Sequence, residues 1–95
     1  MTVYEKRFTS YNRRNPSVYD KLLTLAMRLK KVGAKKYGIK ALFEILRYNA
    51  LLQSDTKFEL NNNLAPYYAR LLMKNEPDLK GFFRIRSLTS TNKWH

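Results

Sequence analysis

Apolar residues recur at helical spacing in two long segments of this sequence, and this periodicity limits the chain to a mainly helical fold. The first segment begins at Asn15 and Pro16, which suit the N-cap and the first position of a helix, and it ends at Gly33, which tolerates the left-handed backbone of a helix end. The second segment runs from about Ile39 to Gln53. The predicted apolar faces are Val18, Leu22, Leu25, Ala26 and Leu29 in the first helix, and Ile39, Leu42, Phe43, Leu46 and Ala50 in the second.

The stretch from Phe58 to Arg86 adds a third helix between two strand candidates. Alternation of polar and apolar residues predicts short strands over residues 57–60 and 82–88, whereas Leu64 to Asn75 has helical spacing. The three asparagines before this helix predict a turn and an N-cap. Paired with each other, the strands would form a ribbon that is stable only with helices beneath it. The expected fold is therefore mainly α, a three-helix domain with a small two-stranded antiparallel ribbon.

The order of these elements is typical of a helix-turn-helix or winged-helix module, with the third helix as recognition helix and residues 82–88 as part of a wing. About ten residues separate the second and third helices, where a tight helix-turn-helix uses three or four, so the expected module is a variant. The predicted boundaries are a basic N-terminal arm over residues 1–14, a winged-helix-like domain over residues 15–88 and a polar tail over residues 89–95.

Residues 1–14 combine cations with three aromatic residues, Tyr4, Phe8 and Tyr11, and suggest at most a short helical turn within an arm. Two interpretations of the arm stay open. It can become ordered on phosphates or in a minor groove, as the arms of several DNA-binding folds do. Alternatively, it is a terminus whose aromatic side chains pack against the core.

Charge is the strongest global signal in the sequence. Nineteen Lys and Arg against seven Asp and Glu give a net charge of +12, most of which lies in residues 1–40. A folded domain of this charge is attracted to polyanions, and nucleic acid is the commonest polyanion in the cytosol. The sequence therefore predicts a small basic nucleic-acid-binding protein, with duplex DNA as the partner and RNA as an alternative target. The structural alternative is that the cations only form a solvated surface.

The candidate nucleic-acid-binding residues come from four parts of the chain. Lysines and arginines would contact phosphates, and an asparagine amide suits the edge of adenine because it both donates and accepts. Lys40, Glu44 and Arg47 share a face of the second helix, where Glu44 can pair with either cation, and this weakens them as ligand contacts. The candidates are Arg13 and Arg14 in the arm, Lys30, Lys31, Lys35 and Lys36 in the basic turn, Asn62, Asn63, Tyr67, Arg70 and Lys74 around the third helix, and Arg84 and Arg86 in the ribbon.

The composition argues against catalysis and against a membrane protein. With one histidine, at position 95, and no cysteine, the sequence offers no His and Cys metal cluster and no Ser-His or Cys-His pair, so we expect no enzyme, metal or cofactor. It also has no Gly-rich phosphate loop. Its uncharged runs are too short to span a membrane and its first residues, MTVYEKRF, do not form a signal peptide, so the expected location is the cytoplasm.

Three stretches of the sequence resemble a family of small bacteriophage and mobile-element proteins of no assigned activity. They are NPSVYDKL from Asn15, IKALFEILRYNALL from Ile39 and LNNNLAPYYARLLMKNEPDLKGFFRIRSL from Leu60, so the resemblance covers about residues 15–88. It implies a phage or mobile-element origin and carries no site residue across.

A second function therefore stays open, that of a phage-encoded protein that binds and inhibits or redirects a host or competitor protein. Aromatic residues are favoured anchors of such interfaces. The candidate anchors are Tyr4, Phe8, Tyr11 and Trp94.

Overall fold

The computed structural model describes residues 2–55 and 57–83, which form a small all-α domain. The described residues contain four α-helices, α1 (Val3–Arg14), α2 (Pro16–Lys31), α3 (Ile39–Leu52) and α4 (Ala65–Asn75). Two short 3₁₀ turns, Asn62–Leu64 and Pro77–Leu79, lie before and after α4. The three helices predicted from apolar periodicity are thus confirmed as α2, α3 and α4, with ends within two residues of the prediction.

The ends of the helices follow from local sequence. Pro16 occupies the first turn of α2, where its missing N–H would have no intrahelical partner. Gly33 has φ +103° after the last residue of α2, and its N–H donates to the carbonyl of Lys30. The N–H of Ala34 donates to the carbonyl of Leu29, which completes a Schellman motif. The predicted helix end at Gly33 is therefore confirmed in its hydrogen bonds.

Helix α3 ends in the same motif, but with a serine in the left-handed position. The N–H of Ser54 donates to the carbonyl of Leu51, and that of Asp55 donates to the carbonyl of Ala50. Ser54 has φ +59°, where an L residue with a side chain is strained and glycine is not. The chain therefore holds avoidable backbone strain at this helix end.

We expect Ser54→Gly to raise the free energy of unfolding by about 0.5–1 kcal/mol, because relief of left-handed strain outweighs the greater freedom of glycine in the unfolded chain. Urea unfolding followed by circular dichroism measures the change. Gly33→Ala is the matched control, since it places a Cβ in the same position of the other Schellman motif and should lower stability. A loss of stability in Ser54→Gly would contradict this account of the α3 end.

The core lies between α2, α3 and α4, with α1 packed against α2 and against the turn at Asn62–Leu64. Among the described residues, Tyr68 of α4 is the largest fully buried side chain, and its ring contacts aromatic rings of both α1 and α3. The buried core residues are Val18, Leu22, Ala26, Ile39, Leu42, Phe43, Leu46, Leu60, Leu64, Ala65, Tyr68, Ala69, Leu72, Leu79, Phe82 and Phe83.

The predicted two-stranded ribbon is wrong for the residues that the structure describes. Residues 57–60 form no strand, and the carbonyl groups that a partner strand would need are bound by side chains: Tyr11 donates to Glu59, and Arg47 donates to Leu60. Phe82 instead accepts from the N–H of Tyr37, which makes one isolated parallel bridge between Tyr37 and Phe83. The rest of the predicted wing, residues 84–88, and the predicted tail, residues 89–95, lie outside the described part of the chain.

The predicted arm over residues 1–14 is replaced by helix α1. A capping box begins this helix, in which the N–H of Glu5 donates to the Thr2 hydroxyl and the N–H of Thr2 donates to the Glu5 carboxylate. Tyr4, Phe8 and Tyr11 are spaced by four and three residues and lie on one face of α1. That spacing is the helical signal that the prediction of an arm missed.

Within residues 2–55 and 57–83, no helix is both long enough and apolar enough to cross a lipid bilayer. The same residues contain no group of three His, Cys, Asp or Glu side chains placed to hold a metal ion.

Candidate nucleic-acid interface

Helix α1 presents an exposed strip of cations on the side that faces away from the core. Lys6, Arg7, Arg13 and Arg14 fall within about a third of the helix circumference, together with Ser10, and all five are exposed. Glu5 is the only acidic residue of the helix, and its carboxylate is bound in the capping box. No carboxylate of the described residues lies in ion-pair distance of these four cations. Their charge is therefore available to an anionic ligand.

Aromatic contacts fix α1, and hence the strip, to the rest of the domain. Phe8 stacks on Tyr67 with ring centroids 5.6 Å apart and meets the edge of Tyr68 at 4.8 Å. The Tyr11 hydroxyl donates to the Glu59 carbonyl at 2.6 Å. Burial, and then the nearby charge of Glu59, raises the pKa of Tyr11, so its hydroxyl stays a donor. The four cations therefore stand on a docked helix.

The basic turn after α2 forms a second cationic surface. Its start is fixed by the Schellman motif at Gly33, and its end is fixed by the hydrogen bond from Tyr37 to Phe82, which is 3.0 Å long. Lys31, Lys35 and Lys36 are exposed, whereas the Lys30 ammonium donates to the Asp78 carbonyl and joins α2 to the 3₁₀ turn at Pro77–Leu79. Of the four predicted lysines in this turn, three thus face solvent and one has a structural contact.

The residues predicted to read bases lie in mixed surroundings. Asn62 accepts a hydrogen bond from Arg47 at 2.8 Å, and the backbone N–H of Asn63 donates to the Asn61 side chain, so the predicted turn is confirmed. The predicted N-cap is wrong for α4, whose N-cap is Leu64, because Asn61 caps the preceding 3₁₀ turn instead. Arg47 also pairs with Glu44 at 3.0 Å, as predicted.

The predicted recognition face on α4 is partly covered by α1. Tyr67 is half-buried under Phe8, whereas Arg70 and Lys74 are exposed. A groove-binding role for Tyr67 would therefore require α1 to move.

The structure separates the candidates that it describes into distinct surfaces. Arg13 and Arg14 lie at the start of α2, and Lys31, Lys35 and Lys36 lie at or beyond its end, which is about 24 Å away for a helix of 16 residues. Lys6 and Arg7 join Arg13 and Arg14 on α1, although they were not among the predicted site residues. The spacing of Tyr4, Phe8 and Tyr11 could have revealed them, because it sets which side of α1 faces solvent. Arg84 and Arg86 lie outside the described residues.

Two of the four aromatic anchors of the alternative protein-binding function are used within the fold, since Phe8 and Tyr11 pack against the core. Tyr4 is 45% exposed, with the Arg7 guanidinium 5.9 Å from the centre of its ring. Trp94 lies beyond the described residues.

Comparisons of this chain with protein-family models, with curated proteins and with solved structures found no match, so the resemblance to phage and mobile-element proteins stays a prediction.

Proposed function

We propose that this protein binds duplex DNA by contacting phosphates with the exposed strip of α1 and with the lysines of the turn after α2. The observation that supports this proposal best is the amphipathic character of α1: its aromatic side docks on α4, and its solvent side carries four cations without an ion-pair partner among the described residues. Phosphate contacts of this kind supply most of the sequence-independent affinity of DNA-binding proteins.

The dimensions of the strip match those of a DNA groove. Lys6 and Arg13 are seven residues apart, which is about 10.5 Å along a helix axis. The major groove of B-DNA is about 12 Å wide. Long cationic side chains near the two ends of α1 can therefore reach phosphates on both sides of one groove.

The aromatic residues of α1 favour a duplex over a single strand as the target. Proteins that bind single strands stack successive bases on exposed aromatic rings. In α1 the rings of Phe8 and Tyr11 are turned towards the core, and Tyr4 is the one ring of this helix that is exposed, so α1 offers no row of rings on which successive bases could stack. The major groove of B-DNA is wide enough to admit an α-helix such as α1, whereas the major groove of duplex RNA is deep and narrow. Docking of α1 in a groove therefore also favours DNA over duplex RNA.

Binding to random duplex DNA, single-stranded DNA and duplex RNA across a salt series tests the proposal. We expect duplex DNA to bind most tightly, with a negative log–log salt slope. Arg7→Gln with Arg14→Gln should weaken binding about tenfold at low salt and reduce the slope by about two, because two phosphate contacts are lost.

Arg70→Gln with Lys74→Gln is the matched control, since it removes the same charge from α4. We expect this pair to retain most of the affinity. If the α4 pair loses affinity and the α1 pair does not, α4 is the binding helix and the assignment to α1 is wrong. If the unmodified protein binds none of the three nucleic acids at low salt, the proposed function itself is wrong.

A further inference from the structure

A segment from the end of the described chain lies beside the basic turn after α2. The Lys30 ammonium donates to the Asp78 carbonyl before the turn, and the N–H of Tyr37 donates to the Phe82 carbonyl after it. The bridge between Tyr37 and Phe83 is parallel. In a parallel pair the two chains run in the same direction, so the residues before Tyr37 lie beside the residues before Phe83. The chain around residue 80 therefore lies alongside the basic turn.

Residues 79–82 form a tight turn with an exposed lysine at its tip. The N–H of Phe82 donates to the carbonyl of Leu79 at 2.9 Å. Lys80 has φ −57° and ψ 125°, and Gly81 has φ +74°, which are close to the angles of a type II β-turn. Leu79 and Phe82 are buried, whereas Lys80 is exposed. The core thus anchors both corners of this turn and leaves the lysine in solvent.

Lys80 joins three exposed lysines of the basic turn to form a group from two distant parts of the sequence. We call this group the lysine cluster: Lys31, Lys35, Lys36 and Lys80. The parallel bridge places Lys35 and Lys36, which come just before Tyr37, on the side of the bridge where Lys80 lies. Tertiary contacts, and not sequence spacing, therefore bring the fourth lysine to the other three.

The two segments that carry the lysine cluster have a large excess of positive charge. Residues 28–40 contain six cations and no carboxylate, and residues 76–83 contain Lys80 with two carboxylates, Glu76 and Asp78. Among the described residues, neither carboxylate lies within ion-pair distance of a lysine, and the contact of Lys30 with Asp78 is made to the backbone carbonyl. Cations held together without acidic partners repel one another, and a bound anion relieves this repulsion.

We propose that the lysine cluster is a phosphate-binding site in which Lys80 contacts the DNA backbone together with the lysines of the basic turn. This inference rests on the proposed function and adds to it a contact from the chain after α4. Lysine is a compact point charge that binds phosphate and reads no base sequence by that contact. The site therefore strengthens binding to all duplexes equally.

The lysine cluster contacts a different part of the DNA from the end of the α1 strip. Arg13 and Arg14 lie before the start of α2 and the cluster lies at or beyond its end, which is about 24 Å away for a helix of 16 residues. The major groove of B-DNA is about 12 Å wide. The cluster therefore contacts phosphates other than those that flank the groove at Arg13 and Arg14.

Binding of Lys80→Gln to random duplex DNA across a salt series tests the site. We expect an affinity about threefold weaker at low salt and a log–log slope smaller by about one, because one phosphate contact is lost. Lys80→Arg should restore both values, since it keeps the charge at the tip of the turn. Lys35→Gln with Lys80→Gln should reduce the slope by about two, because both lysines contact phosphates.

Lys57→Gln is the matched control, since Lys57 is exposed in the loop after α3 and belongs neither to the lysine cluster nor to the α1 strip. It should keep the affinity and the slope of the unmodified protein. If Lys80→Gln behaves like Lys57→Gln while Arg7→Gln with Arg14→Gln weakens binding, this inference is wrong and the proposed function stands. Equal losses in Lys80→Gln and Lys57→Gln would show general attraction and no site at Lys80. If the unmodified protein binds no duplex DNA, the proposed function and this site are both wrong.

Discussion

Replacement of Tyr68 by alanine is expected to lower the free energy of unfolding by about 3–5 kcal/mol, because it removes the largest fully buried side chain of the core. A small domain has a total stability of about 5–15 kcal/mol, so this variant should be at the margin of folding. Thermal and urea unfolding followed by circular dichroism measure the loss. A change below about 1 kcal/mol would contradict the central position of Tyr68 in the core.

The expected size of this loss follows from the contacts of the Tyr68 ring. The side chain is fully buried, and its ring meets the edges or faces of three others at centroid distances of 4.8 Å (Phe8), 6.4 Å (Tyr11) and 6.0 Å (Phe43). Phe8 and Tyr11 belong to α1 and Phe43 belongs to α3, so the Tyr68 ring connects both of these helices to α4. Truncation to alanine leaves a cavity that a shift of one helix cannot fill, and it also removes the favourable edge-to-face geometry.

The ring of Tyr68 stabilises the fold, whereas its hydroxyl should destabilise it. It is buried and forms no hydrogen bond with any described residue. Burial, with a smaller contribution from Tyr11, raises the pKa of Tyr68, so the group stays neutral. A buried hydroxyl without a partner costs about 1–3 kcal/mol, so Tyr68→Phe should preserve the ring contacts and raise the midpoint of thermal unfolding. Tyr68→Phe is therefore the control that separates the ring from its hydroxyl.

The second large effect is expected for Phe8→Ala, at about 2–3 kcal/mol of lost stability. This is below the range for a fully buried phenylalanine because Phe8 is only half-buried. The loss is expected because Phe8 joins α1 to both Tyr67 and Tyr68. Urea unfolding measures this loss. An unchanged free energy of unfolding in Phe8→Ala would show that residues 3–14 are a flexible arm and not a docked helix.

Lys6→Ala is the matched control for Phe8→Ala, since Lys6 lies on the solvent side of the same helix and alanine favours a helix at least as well. Its stability should stay within about 0.5 kcal/mol of the unmodified protein. The pair also separates folding from binding, because Lys6→Ala removes one proposed phosphate contact without disturbing the core. If both variants lost the same stability, the loss would come from weaker helix formation in α1 and not from the aromatic contact of Phe8 with α4.

Helix α1 covers part of the α4 face that a helix-turn-helix protein would place in the DNA groove. The sequence suggests α4 as the recognition helix, yet Phe8 of α1 stacks on Tyr67 of α4. The proposed DNA contact therefore moves from the third predicted helix to a segment that the sequence suggested was an arm.

Local sequence determined α2, α3 and α4 almost completely. Their apolar periodicity, Pro16 at a start and Gly33 at an end are signals within a few residues of the groups that they satisfy, because helical hydrogen bonds join residues four apart. The Glu44–Arg47 pair was predictable for the same reason. The net charge of +12 likewise needed no structure.

Tertiary structure decided everything that depends on contacts between distant segments. Phe8 meets Tyr67 and Tyr68, Tyr11 donates to Glu59, and no pattern within residues 1–14 specifies those partners. The ribbon failed for a related reason: an alternating segment forms a strand only if its carbonyl groups remain free for a partner strand. In this fold, side chains from α1 and α3 bind the carbonyls of residues 59 and 60, and the Tyr37 N–H binds that of Phe82. The cations were visible in the sequence, but which of them share a surface was set by the side on which each helix packs.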